Sequence, residues 1–258
     1  VDNRGVIETT GVAASGIFAT LTNTTVFNSG TIKTAGISSH GVQFNSGSEN
    51  LDVNLGGRVM ATGQSADGVH IDGNDIRVSL SGEVIAAAGD AASIRFGGNA
   101  GSVHSLDVRQ GASLSGGGGA IIGGDGAEIV RVAGKVAGAI DLGRGNDSFT
   151  LTDTAEFDGA LWNGGEGSDT LVVEVADDIV FEPVLSGFNF EHFIKTGQGE
   201  MLRRDNLVFE SVEIHDGFLT LTDGAEINAN ALLLEPGESV INKPQLIVDG
   251  GATEARSR

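Results

Sequence analysis

The sequence predicts an all-β protein wound as a right-handed, three-sided parallel β-helix, because three hydrophobic patterns return in fixed order about every twenty-odd residues. The first is a glycine turn followed by a β-branched residue, at Gly5-Val6-Ile7, Gly30-Thr31-Ile32, Gly57-Arg58-Val59, Gly82-Glu83-Val84 and Gly134-Lys135-Val136. The first four of these glycines recur almost evenly along the chain. The second pattern starts at a constant offset from each of those four, at Gly16-Ile17, Gly41-Val42-Gln43-Phe44, Gly68-Val69-His70-Ile71 and Ser93-Ile94-Arg95-Phe96. The third alternates apolar with polar: Leu51-Asp52-Val53-Asn54-Leu55, Ile76-Arg77-Val78-Ser79-Leu80, Leu106-Asp107-Val108, Val130-Arg131-Val132, Phe149-Thr150-Leu151 and Leu171-Val172-Val173.

A coil of three short strands cannot bury its apolar face alone. Stacked coils can, with each strand beside its counterpart at roughly 4.8 Å. Coils of that length divide 258 residues into about ten turns and a rod of roughly 45–50 Å. The alternation places Val42, Val69 and Ile94 in one inward row, Phe44, Ile71 and Phe96 in a second, and Val53, Val78, Val108 and Val130 in a third. It places Gln43, His70, Arg95, Asp141 and Trp162 outward beside the second strand, and Asp52, Arg77 and Asp107, with Asn54, Ser79, Arg109 and Arg131, outward beside the third. The 41 glycines are expected at corners, where coils approach closely or φ turns positive.

Coils shorten along the chain, as the steps from Val136 to Phe157, from Ile140 to Leu161 and from Asp147 to Asp169 show. Residues 1–182 read as regular coils and 183–258 as less regular ones, with strand-like stretches at Leu207-Val208-Phe209, Phe218-Leu219-Thr220-Leu221 and Leu232-Leu233-Leu234. All three prolines, Pro183, Pro236 and Pro244, fall in that last third, and the polar tail from Gly250 to Arg258 is expected to fray.

With 35 Asp+Glu against 15 Lys+Arg, the net charge is −20, and no basic stretch offers a footprint for nucleic acid or anionic lipid. No apolar run reaches the roughly 20 residues of a spanning helix, so direct membrane insertion of this segment is not expected. The chain opens at Val1 without a leader and reads as a segment of something longer. Absence of cysteine excludes disulfides and thiolate chemistry. With no Tyr and Trp162 alone, platforms for stacking bases or sugars are scarce.

The Asn3-Arg4-Gly5-Val6-Ile7 and Asn28-Ser29-Gly30-Thr31-Ile32 corners carry a family resemblance, as do the turns Asp141-Leu142-Gly143-Arg144-Gly145-Asn146-Asp147 and Gly164-Gly165-Glu166-Gly167-Ser168-Asp169-Thr170-Leu171 and the segment from Phe190 through Lys195-Thr196-Gly197 to Leu221. Together they resemble the passenger domains of autotransporters, the type V secreted proteins of Gram-negative bacteria. The resemblance implies a right-handed β-helix, secretion through a C-terminal β-barrel that this segment does not contain, and display on the cell surface.

The Gly164-to-Val172 run fits the calcium-binding nonapeptide pattern, with Asp169 as ligand, and Gly143-Arg144-Gly145-Asn146-Asp147 offers a related copy. Such sites need tandem copies in successive nonapeptides, whereas Asp147 and Asp169 are a whole coil apart. That spacing favours a ladder of turns, joined by Gly124-Asp125-Gly126-Ala127-Glu128-Ile129, in which the Asp carboxylates accept backbone hydrogen bonds. Calcium on Asp147 and Asp169 is the alternative; otherwise no metal or cofactor is expected. The five histidines, His40, His70, His104, His192 and His215, lack metal-ligand spacing and read as solvated. Ser38-Ser39-His40-Gly41 lacks the strand-turn-helix setting of a hydrolase elbow. The outward rows mix signs and show no convergent acid pair. The expected function is therefore a non-catalytic adhesin-type rod that binds host-cell or matrix components, or itself, with His70, Arg95, Asp141 and Trp162 as the candidate patch. A carbohydrate-active β-helix lyase or hydrolase using Asp141 is the alternative.

Overall fold

The computed structural model describes residues 1–159, 161–185, 187–234, 245–248 and 256–257. Short parallel strands pass in turn through three long sheets of eleven, seven and eight strands, so the chain is an all-β parallel solenoid of about ten turns. None of the described residues is helical, and no helix among them is long and apolar enough to cross a membrane. Pro236 and Pro244, and the tail positions 250–255 and 258, lie outside the described residues. Arg256–Ser257 pairs in parallel with Asn228 and Ala229.

The alternation that predicts the strands also sets their stacking. Val42 lies opposite Val69, and Val69 opposite Ile94; Phe44, Ile71 and Phe96 form the neighbouring row, as the pattern requires. All six side chains are buried in one continuous core. Corners stay tight because the glycine of the first pattern recurs there: a Cβ on Gly82 would lie 1.9 Å from the carbonyl oxygen of Gly57, and one on Gly57 would lie 2.0 Å from that of Gly30. No side chain fits that approach.

Three rows depart from the sequence expectation, each by a slip along the chain. Val78 lies opposite Val53 and Leu106, not Val108, which instead follows Leu80. Arg77 lies opposite Ser105, and Asp107 falls in the row of Asn54, Ser79 and Arg131. Most consequentially, Ile140 pairs with Trp162, not with Leu161. Carrying the coil length of the preceding strand forward from Ile140 aligns Leu161, whereas the closed coil is one position longer, and a one-residue slip exchanges the two faces of a strand. Trp162 is consequently 1% exposed while Leu161 is out in solvent. The indole packs on Phe149 and Phe157, with ring centroids 5.3 and 4.7 Å away, and Gly187 follows it in the row, leaving room for its bulk.

This burial makes the lone Trp162 a reporter of folding. Its native emission is expected to be blue-shifted and poorly quenched by iodide, shifting red as the coils unfold. Red, fully quenchable native emission would return the indole to the outer face.

Past residue 158 the first sheet continues through Thr170–Glu174, His192–Thr196, Ser211–Ile214 and Ala231–Leu234. The second sheet ends at Glu156–Asp158 and the third at Gly187–Phe188. Separate sheets of four and three strands take over, the first from Val180–Phe181 and the second from Leu207–Val208.

Candidate functional site

Asp67 stands two positions before Val69, as His40 does before Val42, so the pairing of those valines stacks His40 and Asp67 in one corner column. The outward positions of the same strands bring His70 beside Arg95. Four polar side chains from three coils thereby converge.

Asp67, buried, is the hub. Its Oδ2 takes a hydrogen bond from Arg95 Nε at 2.9 Å and lies 2.7 Å from His70 Nδ1. Its Oδ1 takes the Ala92 amide at 2.7 Å and Arg95 Nη2 at 3.2 Å. The Asp67 amide donates to His40 Nδ1 at 3.0 Å, so that nitrogen carries no proton. The His40 and His70 rings stack with centroids 4.2 Å apart, and His70 Nε2 lies 3.2 Å from Asp72 Oδ1.

Electrostatics separate the two histidines. Burial, aided by the neighbouring His70, pulls His40 down to about 4. Burial also opposes charge on His70, but its hydrogen bond to Asp67 and the negative charges of Asp72 and Asp67 outweigh that and raise its pKa. For Asp67, burial acts to raise the pKa, and the hydrogen bonds from His70 and Arg95 overcome it, lowering the carboxyl to about 2. The site therefore holds a neutral His40 beside an ionised Asp67 clamped by Arg95.

His40, Asp67 and His70 bring three donor atoms within 4.8 Å of one another, the one such grouping among the described residues. Sequence reasoning missed it because His40 and Asp67 are a whole coil apart, and it wrongly placed His40 in solvent. His104 is likewise buried; its Nδ1 takes the Ile76 amide at 3.3 Å and its Nε2 lies 3.0 Å from the Gly97 carbonyl oxygen. A cation entering the Asp67 corner would have to displace the guanidinium from both carboxylate oxygens and the Asp67 amide from His40. These donors fit a charge-compensated corner more closely than a metal centre.

A second polar column runs through the later turns. Asp147 and Asp169 stack one coil apart, with Glu128 before them and Glu191 after, since Ile129, Ser148, Thr170 and His192 pair in sequence. Asp147 Oδ1 accepts the Glu128 amide, Asp169 Oδ1 the Asp147 amide, and Glu191 Oε2 the Asp169 amide, each at 2.7 Å. The turn ladder expected from the sequence is present and longer: Glu191 was not foreseen, because no glycine turn introduces it.

Of the patch residues, Arg95 and His70 adjoin, while Asp141 stands apart in the same outward row and Trp162 leaves it for the core. That row reads Phe18, Gln43, His70, Arg95, Ile122, Asp141, Asn163 and Phe188. Asp141 Oδ1 accepts the Gly143 amide at 3.3 Å and Asn163 Nδ2 at 3.0 Å, and Asn163 Oδ1 accepts Asn189 Nδ2 at 2.9 Å. Arg144 reaches Asp125 at 3.5 Å and Glu166 at 3.2 Å.

No family model matches the chain, and neither a curated protein nor a solved structure matches it.

Proposed function

We propose that the chain is a segment of an autotransporter passenger, a right-handed three-sided rod displayed on a Gram-negative cell surface and joined to the outer membrane through a barrel. In this reading it acts as a non-catalytic adhesin. The observation that supports this most is the outward row of the eight-stranded sheet, which carries exposed phenylalanines at both ends, Phe18 and Phe188, and mixed polar and charged groups between. Its acid, Asp141, is held by the Gly143 amide and the Asn163 side chain. Extended recognition suits such a ladder, since function on repeat folds resides in side chains placed on a regular scaffold. Partners would be host-cell or matrix components, or a second copy.

The alternative, a carbohydrate-active enzyme, draws on the open hollow that Asp141, Arg144, Glu166 and Asn163 line together. One experiment separates the two. The segment should bind cells or matrix saturably, and replacing Phe18 and Phe188 together with Ala should weaken binding at least tenfold without lowering Tm. Saturable binding untouched by those changes discards the row. Cleavage of a polysaccharide that Asp141→Asn abolishes overturns the adhesin reading.

A further inference from the structure

We propose that Glu128 and Asp147 share a buried proton at neutral pH, making the column Glu128, Asp147, Asp169 and Glu191 a proton-binding spine that tightens the middle coils as pH falls.

One oxygen of each carboxyl is committed to a backbone amide: Glu128 Oε1 to Gly124 at 3.3 Å, and the next three to the amide one coil back. The other oxygens of Glu128, Asp147 and Asp169 are buried and have no hydrogen-bond partner, in side chains at most 1% exposed. Neighbouring coils lie roughly 4.8 Å apart, so ionising adjacent members would set like charges side by side away from water.

The groups facing them among the described residues offer little compensation. Asp125 and Asp141 add negative charge beside Glu128 and Asp147. Glu191 does the same for Asp169, where His192 supplies the opposing influence while its ring nitrogens lie 2.9 Å from Ser168 Oγ and 2.8 Å from Ser211 Oγ. Arg144, the cation of this turn, is exposed and pairs with Asp125 and Glu166.

A proton on Glu128 Oε2 resolves the conflict. It turns an orphaned acceptor into a donor for the neighbouring Asp147 carboxyl, with which the Glu128 side chain interacts, and removes one of two buried charges. Burial and the neighbouring carboxylate act in this direction, raising Glu128 and Asp147 well above the ordinary carboxyl range, and Asp169 is raised by burial and Glu191. The two titrate as a pair.

In the unfolded chain these acids ionise near pH 4, whereas the folded pair keeps a proton at higher pH. Folding therefore takes up protons from about pH 4 to beyond neutrality, and the contribution is largest at the acid end and lost as pH rises through the folded values.

Two measurements test this. Infrared spectra of the intact segment at pH 7 should show a protonated-carboxyl C=O band that disappears at alkaline pH and is missing in Glu128→Gln. In that variant the amide replaces the shared proton permanently, so its Tm should exceed the wild-type value by about 5 °C at pH 8, with the gap closing by pH 5. Absence of the band in the wild type, or a variant Tm at or below wild type at both pH values, would overturn the proposal. So would millimolar calcium stabilising the wild type at pH 8 and abolishing its pH dependence, which would assign the orphaned oxygens to a cation. Should the variant fail to fold, the wild-type infrared titration decides.

Discussion

Val78→Asp is expected to unfold the coils on both sides of it. Val78 is 2% exposed and lies between Val53 and Leu106, neither of which can meet a carboxylate. Burying an unpaired charge costs several kcal/mol, comparable with the total stability of many domains, about 5–15 kcal/mol. Each coil of a solenoid is held chiefly by its neighbours, so the damage spreads along the stack instead of staying at one strand. Ser79→Asp supplies the control: one position on, its side chain points outward, opposite Asn54 and Asp107, and a change of about 0.5 kcal/mol is expected. Hydrogen exchange resolved by coil, with circular dichroism melting, reads both variants. Equal effects at the two positions would show that the period of two does not define this core.

The period of two made the fold legible from sequence. Val42, Val69 and Ile94 could be aligned because their corners recur at nearly constant intervals and the strands keep one phase. Trp162 could not, because the coil containing it lengthens by one position outside any apolar pattern, and only the closed stack fixes the phase. The acid column was half legible: glycine turns announce Asp147 and Asp169, but Glu191 follows an irregular segment. Lys195 is the clearest failure of pattern reading. It fills an inward position between Val173 and Ile214, fully buried, where an apolar residue belongs. Its ammonium instead donates to the carbonyls of Gly197, Gly199 and Asp216, satisfying corner acceptors that an apolar side chain would leave bare. The Asp67 corner was illegible for another reason. His40, Asp67 and Arg95 each come from a different coil, and only coil closure brings them together.

Asp67→Asn is expected to lower stability by roughly 3 kcal/mol at pH 7, because it removes the anion from a guanidinium and an imidazole that are themselves largely buried. The carboxamide can still accept the Ala92 amide but cannot hold two cationic donors on the other oxygen. The penalty should also depend on pH. The folded Asp67 carboxyl sits at about 2, below its unfolded value near 3.8, so its stabilisation is complete above pH 3.8 and disappears as pH falls through about 2. The gap between variant and wild type should therefore close at the acid end. His40 adds an earlier step: held at about 4 against 6.5 unfolded, it makes the same corner weaken as pH drops from 6.5 toward 4. The acid column around Asp147 responds with the opposite sign, so acidification should loosen the coils near Asp67 while tightening those near Asp147. Coil-resolved hydrogen exchange at pH 7.5 and 5, with the His40 titration followed by NMR, checks both halves. A wild-type Tm in the Asp67→Asn variant at pH 7, or an ordinary titration of His40, would remove the charge-compensated corner from the account of what holds the first coils together.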